Sequence, residues 1–190
     1  MECLGISIMG IIIIFIEVIH VNYHLEMNYV TSGTRQFPAL NICIGANNPQ
    51  EFGWIANNIG DFRTQSIETY QKVLSAFLTE TGMRLYVFDF YPNAHQYTLF
   101  QEMSIDHVDL SFLEQCNKFI VVLSKHEPSS LCSFESQDAF FETMYEEGYA
   151  LFEIMDYFTE GNSMTFYCQN CEILSQLEEI ARTIGFVKVV

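Results

Sequence analysis

The sequence predicts an α+β fold in which an N-terminal transmembrane helix precedes a mixed α/β domain. Three observations predict it: an apolar N-terminal run, helical and strand periodicities along the rest of the chain, and a hydrophobic fraction of 49% in 190 residues. A chain of this length suits one domain, or one domain plus an anchor. Its 17 Phe and 10 Tyr residues supply large packing groups, so a disordered chain is excluded.

The apolar run covers Cys3–Ile16, which has 14 residues and no charge. Crossing a bilayer takes roughly 20 apolar residues as a helix, so the predicted transmembrane helix spans 1–21 and includes Glu17. Tyr23 and Tyr29 suit an aromatic belt at the membrane interface. The alternatives are a signal peptide, which the missing positive charge and cleavage site disfavour, and a buried core helix or strand.

The remaining chain divides into a polar juxtamembrane connection, 22–36, and a partial ectodomain, 37–190. Helical spacing of apolar residues and strand-like alternation predict the elements of this domain in order. The predicted strands are Leu40–Ile44, Arg84–Tyr91, Phe119–Leu123, Tyr149–Ile154 and Phe186–Val190. The predicted helices are Gln50–Thr81, Ser133–Glu147 and Cys171–Ile184, and Val108–Cys116 is predicted as a short helix or an extended piece. Gly82 and Gly148 mark helix ends.

The net charge of -16 limits the classes of partner. Nucleic-acid binding depends on cationic side chains that neutralise phosphates, so no nucleic-acid partner is expected. No Lys or Arg lies between Lys125 and Arg182. This acidic stretch indicates a solvated face or, as the functional alternative, a surface that collects cations or senses protons.

The chain has six cysteines, and the five that follow Cys3 cannot all pair within one chain. Cys168 and Cys171 have the spacing of half a zinc site or of a redox pair, but no second pair with suitable spacing follows. The five histidines are scattered, and no phosphate-binding glycine loop or nucleophile elbow is present. The sequence therefore predicts no enzyme, no metal site and no cofactor.

An ordered set of phrases extends from the apolar run to about residue 154. In chain order they are Tyr29-Val30-Thr31, Phe37-Pro38-Ala39-Leu40-Asn41-Ile42-Cys43, Asn48-Pro49, Cys116, Cys132, Phe140 and Tyr145-Glu-Glu-Gly148-Tyr-Ala-Leu-Phe152. This set resembles the degenerin/epithelial sodium channel family, of the amiloride-sensitive, acid-sensing type. The resemblance marks Phe37, Pro38, Ala39 and Cys43 as the structural motif residues.

The resemblance implies a single-pass subunit, or a truncated fragment, of a sodium-selective cation channel in the plasma membrane. Its partners would be the membrane, sodium ions and other channel subunits, in a homo- or hetero-oligomer. The resemblance also implies a disulfide between Cys116 and Cys132. Ala150 stands where the family has the cysteine that pairs with the one matching Cys43. The second membrane helix and the selectivity filter of the family have no counterpart in these residues.

An alternative comes from the alternation of strands and helices between Leu40 and Val190, which is typical of a parallel α/β sheet. The phrases Val73–Leu78, Arg84–Asp89 and Phe119–Ser124 resemble a TIR or SEFIR signalling domain. That resemblance implies a single-pass receptor or adaptor that binds other proteins. It predicts that Leu40–Ile44 and Phe119–Leu123 are neighbouring strands of a parallel sheet.

Overall fold

One sheet organises the computed structural model, which describes residues 22–32, 35–91, 96–103, 108–111, 118–128, 132–133, 136–157 and 161–189. Its strands are β1 (Asn22–Ser32), β2 (Arg35–Gly45), β3 (Arg84–Tyr91), β4 (Gln96–Met103), β5 (Lys118–Ser124), β6 (Cys132–Ser133), β7 (Ala150–Tyr157), β8 (Gly161–Tyr167) and β9 (Val187–Lys188). Their order is β6-β4-β3-β5-β7-β8-β2-β1-β9. All neighbours pair antiparallel except β1 and β9, which pair in parallel.

In the described ranges, four helices cover the sheet unequally. They are α1 (Pro49–Asn57), α2 (Ile59–Thr81), α3 (Gln137–Glu146) and α4 (Cys171–Ile184). Because side chains alternate along a strand, each strand contributes to two separate cores. We call the side covered by α1, α2 and α4 the helical face and the opposite side the α3 face.

The larger core lies on the helical face. Its members from β2 are Leu40, Ile42 and Ile44, which alternate along the strand and are almost completely buried. Across them, the Tyr70 hydroxyl of α2 donates to the backbone oxygens of Asn162, at 2.7 Å, and Ile42, at 3.3 Å. Full burial of such an aliphatic side chain stabilises the fold by about 1.5–3 kcal/mol, so this layer fixes the helices on the sheet.

The smaller core lies on the α3 face. Phe37 of β2 packs edge-on against Tyr145 of α3, with ring centroids 4.6 Å apart. Phe140 of α3 is completely buried and contacts Phe88 of β3. Among the described helices, the one that packs on this face is α3, which has ten residues.

The helix ends follow local capping chemistry. The Asn48 side chain accepts hydrogen bonds from the backbone N–H groups of Gln50 and Glu51, which caps α1. Gly82 ends α2 with a φ of 65°, a left-handed conformation that glycine adopts without a side-chain clash. Asn170 caps α4 through a hydrogen bond from Glu172 N–H.

The predicted fold class, a transmembrane helix followed by a partial mixed ectodomain, is wrong for the described part of the chain. That part holds a single, mainly antiparallel sheet packed by helices on both faces. Among its helices none combines the length and the apolar character needed to cross a membrane. The predicted transmembrane helix falls at 1–21, outside the described residues. Within the segment 22–36, predicted as a polar connection, residues 22–32 instead form β1 and residues 35–36 begin β2.

The alternative of a parallel TIR or SEFIR sheet is also wrong. The predicted strands Leu40–Ile44 and Phe119–Leu123 lie in β2 and β5, which β7 and β8 separate. Both belong to antiparallel pairs. Predicted helix Gln50–Thr81 is two helices, because Asn58 leaves the helical conformation with φ and ψ of -131° and 39°.

Candidate functional site

The motif residues Phe37, Pro38, Ala39 and Cys43 all lie in β2. Phe37 and Ala39 are buried in the core of the α3 face. Pro38 lies opposite Tyr29 of β1, and the pairing of β2 with β8 begins only at Ala39. A proline is tolerated there because no β8 residue needs its missing N–H. Packing and strand geometry therefore explain the residue types at these positions.

Cys43 is half-buried on the α3 face, directly opposite His24 of β1. Burial raises the pKa of its thiol to about 11, and the nearby Glu26 carboxylate adds to the rise. The thiolate is the nucleophilic form of cysteine, so Cys43 is neutral and poorly reactive near neutral pH. A Cys–His catalytic pair is therefore not favoured here.

The channel resemblance involves two cysteine pairs. The structure describes both positions of one pair and only one position of the other. Ala150 is buried in the core of the helical face, whereas Cys43 alternates with Ile42 and Ile44 and lies on the other side of the sheet. The two positions therefore do not face each other. Cys116 lies outside the described residues and Cys132 belongs to β6, so their disulfide stays a prediction.

Cys168 and Cys171 flank the entry to α4. Cys168 is buried and Cys171 is exposed, and both are free thiols. Burial raises the pKa of the Cys168 thiol. Throughout the part of the chain that the structure describes, no three His, Cys, Asp or Glu side chains are grouped to hold a metal ion.

A row of polar side chains crosses the middle of the α3 face. Asn41, Thr165 and Glu153 lie opposite one another on β2, β8 and β7. Glu153 is buried and accepts a hydrogen bond from the Tyr167 hydroxyl at 3.1 Å. The row has one acid, whereas hard cations take several oxygen ligands, so it does not make a cation site.

An open groove with a volume of about 620 Å³ runs along the outer surface of α4. Its described lining consists of Ser175, Glu178, Glu179, Arg182 and Thr183. Lys188 already binds both carboxylate oxygens of Glu178, each at 3.0 Å. Glu178 is therefore already paired, and the described lining offers no buried polar group directed at a ligand.

The outer edge of β1 has the clearest binding geometry. Val189 N–H donates to Leu25 O at 3.0 Å, so the Leu25 carbonyl points away from β2. In an antiparallel pair, successive residues alternate in which edge their N–H and C=O groups face. Met27, Tyr29 and Thr31 therefore direct these groups outward like Leu25, whereas Glu26, Asn28 and Val30 direct theirs to β2.

Only a short part of this edge has a partner strand in the described residues. β9 pairs with His24 and Leu25, while β2 pairs with β1 over its whole length. Beyond Leu25, the side chains of Met27 and Tyr29 are 44% and 72% exposed. Unpaired backbone groups beside exposed apolar side chains are what a docking strand requires.

This edge is not among the features that the sequence predicts, because the segment 22–36 is predicted as a connection. A signal for it is present: Tyr23, Leu25, Met27 and Tyr29 alternate with polar residues, as in a half-buried strand. Because Tyr23 and Tyr29 follow the apolar run closely, the sequence instead predicts that they lie at a membrane interface.

Comparison with known proteins gives no relative. No protein-family model matches the chain, and neither a curated protein nor a solved structure shows a significant match.

Proposed function

We propose that this domain is a binding module that accepts an extended polypeptide strand along the outer edge of β1. One observation carries the proposal: β9 covers only His24 and Leu25, and the edge from Met27 onward lacks a described partner. Main-chain hydrogen bonds to such an edge give affinity, and alternate side chains give specificity.

The exposed side chains define the chemistry of the bound strand. Met27 and Tyr29 lie on the same side of β1 and offer apolar contact area. Glu26, exposed on the other side, disfavours an acidic residue opposite it. The edge therefore suits an extended segment that has no acidic residue there and has apolar or β-branched residues on one side.

A labelled peptide of alternating threonine and valine tests strand binding. Its fluorescence anisotropy should rise saturably with the concentration of the full chain. Tyr29→Pro removes an outward N–H without removing a hydrogen bond to β2, and should weaken binding about tenfold or more. Phe52→Lys is the matched control, because Phe52 is another exposed aromatic residue, 40% accessible, but lies on α1. Binding that is absent, or unchanged by Tyr29→Pro, would contradict the proposal.

The function implied by the channel resemblance, a subunit that transports sodium across a membrane, stays a prediction. So do the plasma-membrane location and the association with other channel subunits. Strand addition at β1 is compatible with any assembly that leaves this edge accessible, so the binding proposal does not depend on ion transport.

A further inference from the structure

We propose that the strand bound at this edge is β1 of a second copy of the chain, paired antiparallel about Tyr29. This inference rests on the proposed function and names its partner. Two copies would then join their sheets edge to edge around a two-fold axis, as isologous interfaces require.

The backbone supplies the first argument. With Tyr29 opposite the partner's Tyr29, Met27 lies opposite the partner's Thr31, and the reverse pair follows from symmetry. All these residues direct their N–H and C=O groups outward, because they share the orientation of Leu25. Each outward group of one strand therefore meets a complementary group of the other.

The position of β9 selects this register. Sliding the pair two residues toward the start of β1 would bring Leu25 into the interface, and the Leu25 carbonyl already accepts a hydrogen bond from Val189. Sliding it two residues toward the end of β1 would place Met27 opposite a position beyond Ser32, where the partner's β1 has ended. The register centred on Tyr29 uses Met27, Tyr29 and Thr31 and leaves the β9 pairing intact.

Charge supplies the second argument. Each copy carries a net charge of -16, so most surfaces repel their own equivalent. The segment Met27–Thr31 contains no charged residue. The proposed register pairs Met27–Thr31 with the same segment of the partner, so Glu26 lies outside the pairing and no carboxylates face each other across the strands. The segment Met27–Thr31 is thus itself free of acidic residues, as the strand accepted by the edge should be.

Side chains add to the pairing at its centre. Tyr29 is 72% exposed in the single chain. The two-fold register places it directly across from its own copy, and cross-strand aromatic pairs stabilise sheets. Met27 extends the contact on the same side of each strand.

Amide hydrogen exchange on the full chain, in dilute and concentrated solution, tests the pairing. We expect the amides of Met27, Tyr29 and Thr31 to gain protection as concentration rises. The amides of Glu26, Asn28 and Val30 are the internal control, because their bonds to β2 should protect them at both concentrations.

Sedimentation of variants gives the second measurement. Tyr29→Pro should weaken the dimer about tenfold or more, because it removes the central hydrogen bonds from both copies. Tyr29→Ala keeps the N–H group and should have a smaller effect. Phe52→Lys, whose change lies on α1, should leave the dimer unaffected.

Three outcomes would overturn the inference. The first is a chain that stays monomeric with the outward amides exchanging rapidly. The second is protection of those amides that does not change with concentration, which would mean that the chain covers its own edge. The third is a dimer that Tyr29→Pro does not weaken. If the threonine–valine peptide still binds while the chain stays monomeric, the proposed function stands and the second copy is rejected; if neither binds, both fall.

Discussion

Neighbouring strands β1 and β2 have the same length, 11 residues, yet they differ in burial. β2 lies between β1 and β8 and buries Leu40, Ile42 and Ile44. β1 buries Leu25 but exposes Met27 and Tyr29. Alternation of apolar and polar residues marks both strands, whereas position in the sheet decides which apolar side chains stabilise the fold and which can bind.

The largest expected difference comes from truncating one apolar side chain on each strand. Ile42→Ala should lower the free energy of unfolding by about 2–5 kcal/mol, because it removes buried contacts and leaves a cavity. Met27→Ala, at a side chain 44% exposed, should change it by about 0.5 kcal/mol or less. Urea denaturation of both variants measures the contrast. Equal losses would mean that β1 is as buried as β2, and would remove the basis for edge binding.

A pair of proline variants compares the two edges of β1 itself. Val30→Pro removes an N–H that bonds to β2 and leaves an acceptor unpaired, which should cost about 1–3 kcal/mol. Tyr29→Pro removes an outward N–H, so its effect on the free energy of unfolding should be clearly smaller at low chain concentration. Thermal unfolding of both variants, with far-UV circular dichroism, makes the comparison. If Tyr29→Pro were the more harmful change, the assignment of outward and inward residues would be reversed.

The sequence predicted the parts of the fold that local patterns determine. The helix Cys171–Ile184 was predicted with the bounds that α4 has, and Gly82 was predicted as a helix end. Arg84–Tyr91 was predicted as a strand and forms β3. In each case the apolar spacing and the terminating residue lie within the element itself, so no distant contact was needed.

The remaining features depend on contacts between residues that are far apart in sequence. Nothing local shows that β2 lies beside β8, since that pairing joins Leu40 to Phe166. The edge position of β1 depends on β9 being short, and β9 comes from the other end of the chain. The candidate site was missed for this reason: the alternation of Tyr23–Tyr29 indicates a strand but does not indicate a free edge.

Pro38 gives a smaller test of how β2 is paired. Its ring lies just beyond the β8 pairing, where no ladder hydrogen bond is lost. Pro38→Ala should lower the free energy of unfolding by about 0.4–1 kcal/mol, because the unfolded chain gains conformational freedom. Ala39→Pro is the matched comparison: Ala39 lies opposite Asn28, whose groups face β2, so this proline would remove a hydrogen bond to β1 and should cost more in the same denaturation experiment. A Pro38→Ala variant that gains stability would indicate that the proline is strained in β2.

The pH dependence of Cys43 should have the smallest effect near neutral pH, because it affects stability only in alkaline solution. Burial, followed by the Glu26 carboxylate, raises the pKa of the folded thiol to about 11, above the value of about 8.5 for an unfolded cysteine. The neutral thiol therefore favours the folded state; this contribution is complete below about pH 8.5 and is lost as pH rises to about 11. Denaturation midpoints between pH 8 and pH 11 should fall further for the natural chain than for Cys43→Ala. The exposed Cys171 gives the control, since Cys171→Ala should follow the natural chain. Parallel curves for the natural chain and Cys43→Ala would mean that Cys43 is as accessible to water as an edge residue, which would contradict the distinction between β2 and β1.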